Sequence, residues 1–440
     1  MLQVLSNRTY RHLFLAQVIA LVGTGLATVA LGLLAYDLAG ADAGAVLGTA
    51  LAIKMIAYVG VAPIAAAFAE RLPRRTMLVS LDLIRAAVAL ALPFVTEVWE
   101  VYLLIFVLQS ASAAFTPTFQ ATIPDVLPDE KHYTRALSLS RLAYDLESVV
   151  SPMLAAALLT VISFHSLFAG TVVGFLASAA LVVSVVLPSP KAMEPRGIYD
   201  RTTRGLRIYL ATPRLRGLLA LNLAIAAASA MVIVNTVVLV QAEFGLTQRA
   251  TALALAAFGG GSMLSAFVLP RLLDRIPDRR AMFAGASVLV VGLALGIVVQ
   301  NYTLLLPLWF MLGIGYSLAQ TPSGRLLRRS SQPEDRPALF AAQFALSHAC
   351  WLLTYPIAGW LGAKIGLPFT FAALAVIAVI ALIAATRLWP TDDPEEIEHI
   401  HDALDPDHPH VAGAERVMGG HRHVHPFVID SHHPEWPRSG

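Results

Sequence analysis

One cysteine, Cys350, stands in a chain of 440 residues. Without a second thiol there is no intramolecular disulfide and no cysteine-based metal centre. Charge is scarce as well: Asp, Glu, Lys and Arg make up 14% of the chain, against 57% hydrophobic residues. That balance excludes an ordinary soluble domain and fits a protein that crosses a membrane many times. No G-x-x-x-x-G-K-S/T loop occurs, which argues against a self-contained ATPase. The N-terminus is expected to be a membrane helix and not a removed leader. The opening MLQVLSNRTYRHLFLAQ has no small-residue cleavage site behind a short apolar core, and its apolar run is long enough to span.

The chain does contain twelve apolar stretches, at about 12–36, 45–69, 76–96, 100–122, 138–162, 166–187, 217–241, 249–271, 281–299, 303–325, 338–362 and 366–388. Each is near the roughly 20 residues that cross ~30 Å of hydrocarbon at about 1.5 Å per residue. All are predicted to be helical, because lipid offers no partner to a free backbone group. Loops on one side carry Arg71, Arg74 and Arg75, then Lys131 and Arg135, then Arg271, Arg275, Arg279 and Arg280, then Arg328, Arg329 and Arg336. The other side carries only Arg249 and Lys364. This asymmetry predicts that both termini are cytoplasmic.

The long segment 188–216 divides the chain into two sets of six helices, and the sets repeat. Glu70-Arg71-Leu72-Pro73 returns as Asp274-Arg275-Ile276-Pro277, Thr116-Pro117 as Thr321-Pro322, Pro128-Asp129-Glu130-Lys131 as Pro333-Glu334-Asp335-Arg336, and Ser151-Pro152 as Tyr355-Pro356. A shared offset over most of the chain indicates two related units. The expected organisation is 1–187, a six-helix bundle; 188–216, a cytoplasmic central loop; 217–389, a second bundle; and 390–440, a tail.

That tail differs from everything before it. Residues 1–389 hold 28 Lys and Arg against 18 Asp and Glu, or +10; residues 390–440 hold 3 against 11, or −8. Nine of the thirteen histidines lie there: His399, His401, His408, His410, His421, His423, His425, His432 and His433. Neutral imidazole is a good ligand for nickel, cobalt and zinc, which ligand type alone does not separate. The shortage of sulfur argues against Cu(I). Charge and proline content predict a tail that is largely disordered without metal.

At these motifs the chain resembles the major facilitator superfamily. The loop after the second stretch, Ala66-x-x-x-Glu70-Arg71-Leu72-Pro73-Arg74-Arg75, is similar to that family's G-x-x-x-D-R/K-x-G-R/K-R/K motif, with both glycines replaced. The second copy keeps Asp274, Arg275, Arg279 and Arg280. The resemblance implies an all-α membrane fold of twelve transmembrane helices in two pseudo-repeated bundles. It also implies a conformational latch made by these eight charged residues, Glu70, Arg71, Arg74, Arg75, Asp274, Arg275, Arg279 and Arg280. Ser151-Pro152-Met153-Leu154-Ala155-Ala156 resembles the antiporter motif, with Glu147 where that motif has glycine. Phe115-Thr116-Pro117 through Pro124-Asp125-Val126 resembles the branch of siderophore and macrolide exporters. Within that branch, Tyr144-Asp145-Leu146-Glu147, Pro322-Ser323-Gly324-Arg325-Leu326 and the His-rich tail resemble nickel-resistance exporters of the NreB type.

Charges inside apolar helices are costly, so each is a candidate for the pathway or for proton coupling. They are Lys54, Asp82, Arg85, Asp145 and Glu147, with His348 as the lone intramembrane imidazole. Asp82 and Arg85 are spaced to pair within one helix, as are Arg141 and Asp145. Glu147 has no such neighbour and shares a face with Tyr144 and Ser151. Lys54 is suited either to hold a carboxylate ionised or to gate by repulsion. Gln17, Gln109 and Gln320, with Asn222, Asn235 and Gln241, are candidates to line a polar cavity.

The sequence therefore predicts a secondary transporter, not an enzyme, exporting nickel or cobalt by proton antiport across a bacterial inner membrane. Its partners are a divalent metal ion, a proton and the bilayer, with no nucleic acid and no resident cofactor, and the protein is expected to be a monomer. Export of a siderophore, macrolide or other organic solute is the alternative with the same fold. A membrane-embedded metal receptor is the alternative of another class.

Overall fold

A computed structural model describes residues 2–39, 43–69, 72–188, 197–394, 396–401, 409–411, 414–418, 420–430, 432–433 and 435–437. The first half is α1 (Arg8–Ala39), α2 (Ala43–Ala69), α3 (Arg74–Ala91), α4 (Val98–Val126), α5 (Glu130–Leu158) and α6 (Phe164–Val183). A short amphipathic helix, α7 (Ile198–Ala211), follows in the central segment. The second half is α8 (Pro213–Val237), α9 (Gln248–Leu273), α10 (Asp278–Gly296), α11 (Tyr302–Gln320) with its short extension α12 (Ser323–Arg329), α13 (Arg336–Lys364) and α14 (Leu367–Leu388). Ten of the described helices are long and apolar enough to cross a membrane. Together with α2 and the more charged α5 they make the twelve that the apolar stretches predict.

The repeat is visible in the helix starts. Ala43 of α2 and Gln248 of α9 are 205 apart, Arg74 of α3 and Asp278 of α10 are 204 apart, and Glu130 of α5 and Arg336 of α13 are 206 apart. The two halves meet along α2 against α13 and α5 against α9, which are pairs that the repeat interchanges. Within the halves, α1 packs on α6 and α3 on both α4 and α6, while α9 packs on α11 and α8 on α14. Large apolar side chains such as Val186, Val161, Phe94 and Ile380 remain on the outside, where a bilayer and not water is the natural solvent.

Small residues let helices approach without a hydrophobic force from water. At the α9–α11 crossing, a Cβ built on Gly261 would lie 1.9 Å from the Phe310 carbonyl oxygen, and one on Gly313 would lie 1.9 Å from the Phe258 oxygen. These are backbone contacts, so nothing flexible can yield. Gly313→Ala is therefore expected to force the crossing apart, at the roughly 1–3 kcal/mol of an overpacked core. A thermal melt in detergent checks this; an unchanged midpoint would show that the crossing tolerates the methyl group.

The tail departs from expectation. Where charge and proline content predict disorder, part of its described residues forms a three-stranded antiparallel sheet, β1 (Glu396–His401), β2 (Glu415–Val417) and β3 (Gly420–Pro426), in the order β1-β3-β2. The reason is local. Glu396-Ile-Glu-His-Ile-His401 and Gly420-His-Arg-His-Val-His-Pro426 alternate with period two, which sets the histidines of both strands on one face. On the other face Arg422 sits 3.4 Å from Glu398 and 3.8 Å from Glu415. The central segment departs as well, since α7 packs against α13 and α2 where a loop was expected.

Candidate functional site

Three features stand where the elements converge. The first is a cavity of about 350 Å³ between the halves. It is lined by Gln17 of α1, Tyr58 of α2, Gln120 of α4, and Ser140, Arg141 and Tyr144 of α5. Opposite them lie Tyr316, Gln320, His348 and Trp351. Gln17 and Gln320 thus stand where the sequence suggested. Gln109, Asn222, Asn235 and Gln241 do not line it. Asn235 instead donates to the Ala358 carbonyl at 3.1 Å, and the Gln241 amide lies 3.1 Å from the Thr251 hydroxyl.

The candidate charges divide. Arg141 pairs with Asp145 one turn along α5, and its guanidinium lies 4.7 Å from the centre of the Tyr316 ring across the interface. Asp145 is thereby a buried, neutralised partner. Asp82 and Arg85 also pair within their helix; Ser178 donates to Asp82 at 2.7 Å, and Arg85 lies between the Phe115 and Phe175 rings at 4.0 and 4.5 Å. This pair is buried inside the first half and does not line the cavity. His348 donates Nδ1–H to the Phe344 carbonyl at 2.7 Å and meets the Tyr58 ring edge-on at 4.8 Å, leaving Nε2 for other work.

Glu147 sits half-buried where α5 meets α1. A Cβ on Gly25 would lie 2.2 Å from Ser151 Cβ and 2.6 Å from Glu147 Oε1, so glycine makes the room for this carboxylate. Spacing within α5 gives Glu147 no cation, but the fold brings Lys54 of α2 within electrostatic reach of both Glu147 and His348. Lys54 also lies 5.5 Å from the Tyr58 ring centre.

The second feature closes the arginine-rich face. Asp125, at the end of α4, pairs with Arg74 of its own half and with Arg336 of the other. Arg325 pairs with Glu130 across the halves and lies 3.2 Å from Asp278, while Arg328 donates to the Pro128 carbonyl. Of the residues expected to form a latch, Arg74 takes part. Arg279 instead donates to the Trp389 carbonyl, at 3.1 and 3.2 Å. Arg75, Asp274, Arg275 and Arg280 are exposed, and Glu70 and Arg71 lie outside the described residues. Sequence reasoning missed Asp125, Glu130, Asp278, Arg325 and Arg336 as partners. The available signal was that Glu130-Lys131 and Asp335-Arg336 repeat in register.

The third feature is in the tail. His399 and His401 on β1 face His421, His423 and His425 on β3, with His399 opposite His423 and His401 opposite His421. Six ligand atoms, from His399, His401, His410, His423, His425 and His433, all lie within 4.8 Å of one another. His421 is buried beside the group but outside it, His432 stacks on His410 at 5.1 Å, and His408 lies outside the described residues. Burial and the neighbouring imidazoles hold His401, His410 and His423 down to about 4, so they are neutral ligands near pH 7. Burial pushes the Asp430 carboxyl up, but hydrogen bonds from His433 and His432 prevail and bring it down to about 2.

The sheet is anchored to the second half. Phe427 and Ile429 are buried against Leu215, Leu218, Met282 and Trp389. Trp436 lies 5.0 Å from the Arg214 guanidinium, and Arg214 lies 3.5 Å from Asp393. Pro426 and Val428 share a cavity of about 280 Å³ with Arg325, Arg328 and Arg336, so the tail sits beside the closed face.

Comparison with known proteins agrees with this architecture. The family model of the Major Facilitator Superfamily matches residues 13–235 and 218–409. The uncharacterized MFS-type transporter YfiS of Bacillus subtilis is 23% identical over 343 residues, covering 73% of this chain and 80% of that protein. Macrolide efflux protein A of Streptococcus pyogenes is 27% identical over 152 residues, 32% of this chain and 37% of that one. Among solved structures, the human organic anion transporter MFSD10 superposes with a TM-score of 0.76 at 12% identity, covering 86% of this chain and 99% of that chain. A bacterial homologue of the iron transporter ferroportin in its outward-facing state gives 0.73 at 14%, covering 86% and 99%. With the family model matched across both halves, the chain belongs to the major facilitator superfamily and is a multi-pass membrane transporter.

Proposed function

We propose that the protein exports nickel, and cobalt as a second cargo, from the cytoplasm by proton antiport. The observation that carries this reading is the convergence of six imidazoles within 4.8 Å on a transporter with no thiol site. The arginine-rich face would be cytoplasmic by the positive-inside rule, which places the metal-binding tail at the entrance. The cavity offers the cargo one imidazole, His348, and the amide and phenol oxygens of Gln17, Gln320 and Tyr316. Glu147 is the coupling group: as a carboxylate it favours the cation-loaded state, and as a carboxylic acid it releases the cation. Separation of the Asp125 and Glu130 bridges would open the cavity towards the cytoplasm, as in alternating access between repeats.

Cells expressing the protein should accumulate less nickel than cells without it, measured by elemental analysis across nickel, cobalt, zinc and a macrolide. The macrolide arm matters because Tyr58, Tyr144, Tyr316 and Trp351 give the cavity aromatic walls, which favour an organic solute as the second reading. Unchanged nickel with lowered macrolide content would select that reading.

A further inference from the structure

We propose that His399, His401, His410, His423, His425 and His433 form one mononuclear site for a six-coordinate divalent cation, which discriminates against ions that close their shell with four ligands. This deepens the metal-binding part of the reading above and assigns the tail a fixed site in place of a diffuse chelator.

The hydrogen bonds of the rings carry the argument. A neutral imidazole has one N–H and one lone pair. His399 Nδ1 lies 2.9 Å from the Ile397 carbonyl and His425 Nδ1 lies 2.8 Å from the Pro426 carbonyl. A carbonyl only accepts, so both rings carry their proton on Nδ1. His433 Nδ1 lies 2.9 Å from Asp430 Oδ1, a carboxylate that also accepts from the His432 and His433 amides. Carboxylate or carbonyl behind Nδ1 is the arrangement that orients a metal-bound histidine. In the neutral rings, Nε2 of each then presents a lone pair to the centre. Nε2 of His399 and Nε2 of His433 lie 3.0 Å apart, and His425 Nε2 is buried with no hydrogen-bond partner. Two lone pairs at that distance repel, and a cation between them turns the repulsion into coordination.

The spacing fits six ligands. Nitrogens about 2.1 Å from one ion in an octahedron lie about 3.0 Å from each neighbour and about 4.2 Å from the one opposite. The Nε2 separations are 3.0 Å for His399–His433, 3.1 Å for His399–His423 and 3.2 Å for His401–His410, within a set that spans no more than 4.8 Å. Zinc in structural sites takes four ligands, which would leave two imidazoles idle. Calcium and magnesium require oxygen donors. Six imidazoles suit the nickel and cobalt end of the divalent series, and nickel outranks cobalt in intrinsic affinity.

The test uses the full-length protein in detergent, stripped with a chelator and titrated with Co2+ as the spectroscopic probe. Six-coordinate Co2+ gives weak visible bands, and four-coordinate Co2+ gives intense ones. The expected result is one equivalent of Co2+ with weak six-coordinate bands, displaced by Ni2+ at lower concentration than by Zn2+. His433→Ala should change the bands or lose the ion, while His432→Ala should leave them unchanged. Intense four-coordinate bands would overturn the proposal. So would binding of several equivalents that declines equally whichever histidine is removed. Six-coordinate binding in a protein that leaves cellular nickel unchanged would defeat the export reading and keep the site; nickel export with a four-coordinate Co2+ spectrum would do the reverse.

Discussion

Glu147→Gln is expected to abolish metal-dependent proton movement while the protein still reaches the membrane at wild-type level. Glutamine keeps the shape that fits beside Gly25 and removes the titratable charge. The contrast is Asp145→Asn. Asp145 is buried against Arg141, so its loss leaves a buried guanidinium without its carboxylate, which falls on stability and not on coupling. The pair of variants therefore separates in two assays: proton flux in vesicles for Glu147, thermal stability for Asp145. Wild-type flux from Glu147→Gln would remove this carboxylate from the mechanism and direct attention to His348.

The second large effect is expected at Asp125. It holds an arginine from each half, Arg74 and Arg336, and Arg74 is almost fully buried. Asp125→Ala strips both. Breaking a buried pair by removing one partner costs about 3–5 kcal/mol; the loss of the Arg74 pair, inside one half, falls on both states, while the loss of the Arg336 bridge, which spans the halves, falls on the state in which the arginine-rich face is closed. The population should shift towards the state open on that face, by roughly tenfold for each 1.4 kcal/mol of differential stability. A cysteine at Ser347, in a background where Cys350 is replaced, reports this directly, because Ser347 lines the cavity. Labelling by an impermeant thiol reagent from the arginine-rich side should rise at least tenfold. Unchanged labelling would show that Asp125 does not hold the face shut.

The membrane body was largely legible in the sequence because lipid permits so few structures. Apolar length determines a helix, and the offset near 205 between Arg74-Arg75 and Arg279-Arg280 already announces two related halves. Pairing along one helix was legible for the same reason: Asp82–Arg85 and Arg141–Asp145 are local. Contacts between halves were not. Asp125 lies 211 residues from Arg336 in sequence, and no periodicity links them. Lys54 comes within electrostatic reach of Glu147 only through the fold, which spacing within α5 could not show. In the tail, composition misled. Acids and prolines spoke for disorder, while the alternation of His421, His423 and His425 carried a strand signal that places three imidazoles on one face. His410 and His433, which complete the cluster, come from outside the sheet and have no such pattern.

That alternation also changes how the tail should be tested. Deleting 391–440 would remove Asp393 from Arg214 and Phe427 and Ile429 from the buried face of the second half, so it mixes loss of metal ligands with loss of packing. Replacing imidazoles one at a time keeps the anchor. The central claim, however, concerns the path and not the tail. Its most direct measurement is proton movement in proteoliposomes holding only this protein, with a pH-sensitive dye inside and Ni2+ or a macrolide added outside. The account predicts protons leaving the lumen as Ni2+ enters, none with the macrolide, and none with Glu147→Gln. Proton movement driven by the macrolide and not by Ni2+ would contradict it.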